Sequence, residues 1–351
     1  MAGPVTRDNG LMARPEPKMA VLQRYQNVQG LRGLSALAVT IGHADSFGLI
    51  DVPPWLAACG IGGADMFFVI SGFIICQITI SDRAGIGGVR AALLFLMKRY
   101  VRIYPLYWTV LAAVVITSIW FPLQYSLIPC HQDIVRYVLL IGGNCFVPTA
   151  WTLQYELYFY TVVAALLFLV PRTFYATLSL LMLAQATYVA LSGFAVLPQG
   201  FLSSPLILEF GAGCAISWLH DRGLQKWPVG ALLLGIAIFS LGSVQVIDAE
   251  LSLLPRVLTF GLGGALILYA LVALEANAKV ILPGPIEALG DASYSLYLWH
   301  WPLLIIFTEF ALGWYGVAAI VAFSFASYRL VETPMGSLGQ RLRESKIGSP
   351  S

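Results

Sequence analysis

The sequence predicts an all-α integral membrane protein with about ten transmembrane helices, both termini cytoplasmic and no fused soluble domain. Its composition, the lengths of its apolar runs and the positions of its basic residues each support this fold class. Of the 351 residues, 58% are hydrophobic and 11% are charged, and the mean hydropathy is +0.79. A typical soluble domain carries about 25% charged residues. Such a composition belongs in the lipid bilayer.

The predicted helices follow from the length of each apolar run, since a helix needs about 20 apolar residues to span the hydrocarbon core. Turn-forming residues separate the runs, among them Pro53-Pro54 and Pro283-Gly284-Pro285. We expect one membrane domain over residues 21–335, between flexible cytoplasmic tails at residues 1–20 and 336–351. The predicted spans are 28–47, 57–80, 100–121, 151–170, 173–193, 202–219, 228–247, 255–274, 291–311 and 313–332.

The basic residues orient the chain, because loops on the cytoplasmic side of a membrane carry an excess of lysine and arginine. The other side of the predicted spans carries only Arg136 and Arg256. Both termini are therefore predicted to be cytoplasmic, in a multi-pass protein of the inner or plasma membrane. The residues on the basic side are Arg7, Arg14, Lys18, Arg24, Arg83, Arg90, Lys98, Arg99, Arg172, Arg222, Lys226, Lys279, Arg341, Arg343 and Lys346.

Charge and cysteine usage exclude several classes of function. The formal net charge of +2 does not indicate a nucleic-acid partner. The five cysteines form no CxxC pair and the four histidines are far apart in sequence, so we expect no metal site and no tightly bound cofactor. Cys130 and Cys145 are the two cysteines of the outward loop 122–150. We predict a disulfide between them, because that loop faces an oxidising compartment.

Ionisable residues inside the predicted spans are the main candidates for function, since each costs about 3 kcal/mol to insert. In the first span Arg32 and His43 are eleven residues apart. This spacing returns to nearly the same helix face roughly 16 Å further along the axis. Taken alone, Arg32 could extend its charged end to the membrane surface, and His43 could be a buried histidine with its hydrogen bonds made inside the protein. Their shared face favours function, with Arg32 near the cytoplasmic end and His43 near the outer end.

Glu156 lies about one and a half turns into the span that begins at Trp151, close to the predicted depth of His43. A carboxylate that accepts a hydrogen bond from one imidazole nitrogen leaves the other nitrogen free as a general base. We therefore predict that His43 and Glu156 form the catalytic pair. The alternative is an interfacial glutamate that faces water.

Arg99 and Arg102 lie three residues apart on one face at the cytoplasmic end of the third span, and arginine forks suit phosphate. With Tyr104 from the same string they form the predicted donor-binding site, although a positive-inside anchor explains such a cluster equally well. Asp65 lies too deep in the second span to reach water easily. We expect Arg32 or Arg102 to pair with it.

Four further residues have weaker assignments. Ser71, beside Gly72, suits helix packing better than nucleophilic catalysis. Glu209 is expected to pair with a cation that the sequence does not identify. His300 lies about halfway through the ninth predicted span, where it serves packing or lines a pore, and packing is favoured. Trp151 is a supporting aromatic residue beside the predicted catalytic glutamate.

Five ordered motifs resemble those of the membrane-bound acyltransferase family 3, over nearly the whole chain from Val28 to about Pro334. The opening string and the Glu209-Phe210 step are most similar to the ExoZ-type branch, which acetylates exopolysaccharides. The motifs are Gln29-Gly30-Leu31-Arg32-Gly33-Leu34 leading to His43, Asp65-Met66-Phe67-Phe68-Val69-Ile70-Ser71-Gly72-Phe73, Arg99-Tyr100-Val101-Arg102-Ile103-Tyr104-Pro105, Trp151-Thr152-Leu153-Gln154-Tyr155-Glu156 and Tyr294-Ser295-Leu296-Tyr297-Leu298-Trp299-His300.

The resemblance implies a membrane O-acyltransferase that moves an acetyl or similar group from cytoplasmic acetyl-CoA to a hydroxyl of a polysaccharide or lipid-linked oligosaccharide. It also implies that Arg32 and His43 act as a pair, that Arg99 and Arg102 bind the donor, and that Glu156 is functional. Longer relatives carry a fused extracytoplasmic domain that we do not expect here. Two other classes stay open, a multi-span solute transporter and a non-catalytic subunit of a polysaccharide assembly machine.

Overall fold

The computed structural model describes residues 25–82, 88–120, 134–142, 146–198, 200–248, 252–279 and 282–336. Within these ranges the chain is helical, with no β-strand. The first seven helices are α1 (Gln26–Ser46), α2 (Pro54–Asp82), α3 (Val89–Trp120), α4 (Ile134–Leu139), α5 (Trp151–Leu169), α6 (Phe174–Gly193) and α7 (Ile207–Asp221). The next six are α8 (Pro228–Asp248), α9 (Leu253–Arg256), α10 (Leu262–Ala276), α11 (Gly284–Asp291), α12 (Ser293–Glu309) and α13 (Trp314–Ser327).

Seven helical segments in the described part of the chain are long and apolar enough to cross a membrane. The other three predicted spans correspond to α1, α7 and α12. Helices α7 and α12 are short, with 15 and 17 residues, and α1 is polar because it carries Arg32, His43 and Asp45. Membrane crossings beyond these seven, and the side of the membrane on which the two termini lie, stay predictions. The seven segments are Pro54–Thr79, Val89–Ile119, Pro148–Leu169, Pro171–Gly193, Pro228–Val246, Leu253–Ala276 and Trp314–Gly336.

Helices α1 and α2 pack antiparallel with their backbones in close approach. A Cβ atom added to Gly42 of α1 would lie 3.1 Å from the Cα of Gly60, and one added to Gly63 of α2 would lie 2.7 Å from the Ser35 oxygen. Small residues permit this approach between helices in a membrane. The contact fixes the register, so that His43 lies opposite the beginning of α2 and Arg32 lies opposite residues just beyond Gly63.

Helix α5 begins inside the bundle. The 3₁₀ turn that precedes it, Pro148–Ala150, has Thr149 4% exposed and Ala150 fully buried. The next residue, Trp151, packs against Phe68 with ring centroids 5.8 Å apart. Phe68 is the fifteenth residue of α2, roughly 21 Å from the start of that helix. The first turn of α5 therefore lies at about half the depth of the bundle.

Helices α6 and α8 form the outer surface of the bundle. Only 11% of the most apolar window of α6 and 17% of that of α8 are buried, against 67% for α2. Exposed leucines such as Leu183 and Leu233, each 65% exposed, suit contact with lipid. The two inner helices α1 and α12 carry the most buried polar residues, four and three.

Candidate active site

Two cavities lie at successive depths in the bundle. The smaller, which we call the arginine cavity, has a volume of about 70 Å³, and the larger, which we call the histidine cavity, has a volume of about 740 Å³. The charged and small polar residues of the arginine cavity are Arg32, Ser71, Arg99, Arg102, Thr152, Glu156 and Ser293. Those of the histidine cavity are His43, Asp45, Ser46, Asp51, Thr149 and Arg256, beside the indole rings of Trp151 and Trp301.

The imidazole of His43 is held by a second histidine from α12. His43 Nδ1 lies 3.0 Å from His300 Nε2, and the two rings stack with centroids 5.1 Å apart. His300 Nδ1 lies 3.2 Å from the backbone oxygen of Leu296, which only accepts hydrogen bonds. In the neutral pair His300 therefore carries its proton on Nδ1, and its Nε2 accepts the Nδ1–H of His43. This leaves the Nε2 of His43 with a free lone pair, as a general base requires.

The expected contact between His43 and Glu156 is absent from the hydrogen bonds of the described residues. Glu156 lines the arginine cavity, where Ser71 Oγ and Tyr160 Oη donate hydrogen bonds of 3.1 and 2.6 Å to its Oε1. Ser71 lies beyond the part of α2 that faces Arg32, so Glu156 is at the Arg32 end, roughly 16 Å below the level of His43. The expectation was wrong because α5 starts inside the bundle and not at its surface.

Arg99 presents an incompletely satisfied cation to the arginine cavity. The residue is 6% exposed, and its guanidinium lies over the rings of Phe95 and Tyr160, 5.5 and 5.7 Å from their centroids. Its Nε is buried and has no hydrogen-bond partner among the residues that the structure describes. A buried donor without a partner is costly unless a ligand supplies an acceptor.

The arginine cavity has an excess of positive charge. Arg32 is 9% exposed and donates from Nη1 to the side chain of Gln29 at 2.9 Å, while Arg102 is exposed. Glu156 lines the same cavity, and Glu332 lies near Arg32 and Arg102. The two carboxylates do not balance the three guanidinium groups, so the cavity is suited to an anion.

Tyr297 separates the two cavities and is the one described residue that lines both. Its hydroxyl donates to the Thr149 carbonyl at 3.0 Å and lies 2.9 Å from Thr152 Oγ1. Thr149 lines the histidine cavity and Thr152 lines the arginine cavity. The start of α5 and Tyr297 together form the partition. A molecule that extends from one cavity to the other has to pass this side chain.

The family described as "Acyltransferase domain" matches residues 25–328 of the chain. The chain belongs to this acyltransferase family. The exopolysaccharide production protein ExoZ of Rhizobium meliloti (strain 1021) is 32% identical over 318 residues, which cover 81% of this chain and 92% of ExoZ. The O-acetyltransferase OatA of Staphylococcus aureus (strain NCTC 8325 / PS 47) is 22% identical over 371 residues, which cover 92% of this chain and 59% of OatA. No solved structure matches the chain significantly.

The match confirms the family predicted from the five motifs and makes this membrane protein an acyltransferase. The motif residues Arg32, Arg99, Arg102 and Glu156 line the arginine cavity of the acyltransferase, whereas His43 lines the other cavity. The roles of these residues in acyl transfer stay predictions. The geometry shows that the motifs meet around one partition, although they are distributed over five helices.

Asp65 of the acyltransferase pairs with Arg256, and the expected pairing with Arg32 or Arg102 is wrong. Arg256 Nε lies 3.0 Å from both carboxylate oxygens of Asp65, whose side chain is fully buried, while that of Arg256 is 16% exposed. Arg256 ends α9 and is followed by a π-helical turn, Val257–Gly261. No local pattern in the sequence predicts this pair, because 191 residues separate its members.

Glu209 is buried, and neither of its carboxyl oxygens has a hydrogen-bond partner among the described residues, so the cation expected to pair with it is not identified. Its carboxyl group packs against Gly261, the last residue of the π-helical turn that follows Arg256. Gly261 allows this position, because a Cβ atom there would lie within 2.4 Å of Glu209 Oε1. Of the buried carboxyl groups of Asp65 and Glu209, only that of Asp65 is hydrogen-bonded to Arg256 among the described residues.

Three other predictions have different outcomes. Tyr104 is not among the residues that line either cavity, and its hydroxyl donates to the Leu139 carbonyl at 3.2 Å. Trp151 lines the histidine cavity and so lies beside the candidate base. Cys130 and Cys145 lie outside the described residues, so their disulfide stays a prediction.

Proposed function

We propose that this acyltransferase moves an acetyl group from cytoplasmic acetyl-CoA through the membrane to a hydroxyl of an exported or surface polysaccharide. The observation that carries the proposal is the pair of adjoining cavities, one cationic and the other with a free imidazole nitrogen. The Arg32 end then faces the cytoplasm and the His43 end faces outward. The names of ExoZ and OatA, which refer to exopolysaccharide production and O-acetyl transfer, support the acceptor class and the acyl group.

The donor in this proposal binds through the arginine cavity. Arginine forks bind phosphate in bidentate fashion, and the Nε of Arg99 is without a hydrogen-bond partner among the described residues. A volume of about 70 Å³ is too small for a whole nucleotide. The nucleotide therefore lies at the mouth of the cavity beside the exposed Arg102, and the narrow thioester arm extends inward past Tyr297. Glu156 accepts hydrogen bonds from Ser71 and Tyr160 along this route, and its negative charge offsets part of the positive charge of the arginines.

The acceptor binds in the histidine cavity. Its volume of about 740 Å³ is within the usual range of small-molecule sites, roughly 300–1,000 Å³. The indole rings of Trp151 and Trp301 provide faces on which a sugar ring can stack, and Asp45 and Asp51 provide acceptors for its hydroxyl groups. This chemistry suits an uncharged sugar residue of a longer chain.

The reaction is a direct transfer with His43 as general base. Its Nε2 removes the proton of the sugar hydroxyl, and the oxygen attacks the thioester carbonyl. The tetrahedral intermediate collapses, the carbon–sulfur bond breaks, and the thiolate of CoA takes the proton from the imidazolium of His43. The products are the acetylated sugar and CoA. His300 fixes the tautomer of His43 throughout and does not touch the substrate.

A transfer assay in inverted membrane vesicles tests this proposal. Vesicles with wild-type protein should incorporate labelled acetyl groups from external acetyl-CoA into the polysaccharide. His43→Ala should lower this rate about 100- to 10,000-fold, the usual contribution of a general base. The matched control is His220→Ala, which removes a histidine that bonds Tyr25 and lines neither cavity.

Each class of function gives a different outcome in this assay. Normal transfer by a His43→Ala protein of normal abundance would contradict the mechanism. Uptake of sugar by wild-type vesicles without acetyl transfer would support a transporter instead. A polysaccharide acetylated equally well by vesicles that lack the protein would support a non-catalytic subunit.

A further inference from the structure

Arg256 combines a buried ion pair with a place in the lining of the histidine cavity. It is the one lysine or arginine among the described residues that lines the histidine cavity. Its Nε is bonded to Asp65, and its Nη2 is bonded to the Ile61 carbonyl at 3.5 Å. The other N–H groups of the guanidinium have no partner in the described part of the chain. The Asp65 contact thus fixes the group and leaves donors free for a ligand.

Measured along the axis of α2, the level of Arg256 lies between that of Tyr297 and that of His43. Ala57, next to the Gly42 contact, marks the level of His43, and Ile61 marks the level of Arg256. Tyr297 packs on α2 further along, with its ring centroid 5.5 Å from that of Phe67. One turn of α2, roughly 6 Å, separates the first two levels. An acyl group that passes the partition therefore reaches Arg256 before it reaches His43.

We propose that Arg256 is a catalytic residue that binds the oxyanion of the tetrahedral intermediate. The inference rests on the proposed function. When the sugar oxygen adds to the thioester carbonyl, the electron pair of the carbonyl bond moves to its oxygen. The free N–H groups of Arg256 stabilise that charge until the carbon–sulfur bond breaks and the pair returns. Donors that are fixed in advance in a site with little water are especially effective in this role.

Two other roles for Arg256 fit the observations less well. A purely structural ion pair explains the burial of Asp65, but not why Arg256 lines the larger cavity. Recognition of an acidic sugar is disfavoured by charge, because Asp45 and Asp51 line the same cavity and would repel an anionic acceptor. The oxyanion exists only during the reaction and forms beside the cation.

The test compares Arg256→Gln, Asp65→Asn and the double variant in purified protein. The double variant matters because Arg256→Gln alone leaves Asp65 as a buried charge without its partner, which destabilises a fold. We expect kcat to fall about 100- to 1,000-fold in both variants that lack the guanidinium. The KM values for acetyl-CoA and acceptor should stay within a few-fold of wild type. Asp65→Asn keeps the cation and should lose much less activity.

Arg222→Gln is the matched control. Arg256 lies 5.8 Å from the centroid of the Trp151 ring, and Arg222 likewise lies over an indole ring, that of Trp218 at 4.4 Å. Arg222 lines neither cavity, so the kcat of Arg222→Gln should equal that of wild type. A double variant with wild-type kcat would overturn the proposal and leave a structural pair. A higher acceptor KM with unchanged kcat would also overturn it, in favour of an acceptor-binding site. Activity that survives His43→Ala would instead contradict the proposed function.

Discussion

The arginine cavity and the histidine cavity differ in how their charged groups are held. In the arginine cavity Arg99 is buried, and its Nε has no hydrogen-bond partner in the part of the chain that the structure describes. In the histidine cavity His43 and Arg256 are each fixed by a dedicated partner, His300 and Asp65. A buried cation that lacks a hydrogen-bond acceptor gains one when a ligand binds, so it suits a binding site. Groups that are held in place before the substrate arrives suit catalysis. The difference suggests that binding of the donor and transfer of the acyl group are separable along the membrane normal.

After substitution of His43 itself, substitution of its partner His300 should have the largest effect on the chemistry in the histidine cavity. His300→Ala removes the acceptor that fixes the tautomer of His43, so kcat should fall by a large part of the about 100- to 10,000-fold that general-base catalysis contributes. His300→Gln keeps a side-chain oxygen that can accept the Nδ1–H and should recover part of the rate. Turnover at saturating substrates is the measurement.

The comparison of the two His300 variants separates positioning from packing. A packing role predicts that both variants lose abundance together and that the remaining protein turns over normally. Equal losses of kcat in both variants, at normal abundance, would contradict the role of His300 as an acceptor for His43.

Substitutions in the arginine cavity should change the affinity for acetyl-CoA. Arg99→Ala and Arg102→Ala each remove a charged donor worth about 1.5–3 kcal/mol, which corresponds to a loss of acetyl-CoA affinity of about 10- to 100-fold. Titration of the purified variants with acetyl-CoA measures the effect, and Arg222→Ala serves as the control for loss of an arginine. Unchanged affinity in both variants would reduce the cluster to a topological anchor.

Removal of the Tyr297 hydroxyl from the partition should have the smallest effect on the rate of acyl transfer. Tyr297→Phe removes the hydroxyl that bonds Thr149 but keeps the ring, so we expect a loss of transfer of only a few-fold, near the about 1 kcal/mol net contribution of one hydrogen bond. Tyr297→Ala opens the partition and should raise hydrolysis of acetyl-CoA relative to transfer. Free acetate measured beside acetylated product distinguishes the two. An unchanged ratio in Tyr297→Ala would mean that the acyl group does not pass this side chain.

Local helix geometry made part of this site predictable from the sequence. The spacing of Arg32 and His43 follows from the helical repeat, and these two residues lie in the two adjoining cavities. The cluster of Arg99 and Arg102 follows from the same rule on α3. The family was equally predictable, because its motifs are short contiguous strings that contain these residues.

The remaining features depend on contacts that no local pattern encodes. The depth of Glu156 depends on a buried turn before α5, which composition does not reveal. Arg256 was assigned to the outer surface by charge counting, although an unpaired Asp65 in an apolar helix was a signal that some distant cation must enter the bundle. His300 has an acceptor role only because α12 packs against the end of α1.

A parallel measurement of donor affinity and turnover in His43→Ala and Arg99→Ala tests the separation of the two cavities most directly. We predict opposite patterns at normal protein abundance. His43→Ala should bind acetyl-CoA with wild-type affinity and transfer almost nothing, while Arg99→Ala should bind it weakly and recover much of its transfer rate at saturating donor. If both variants lose affinity and turnover to the same extent, or if His43→Ala transfers acetyl groups at the wild-type rate, binding and chemistry do not occupy separate cavities.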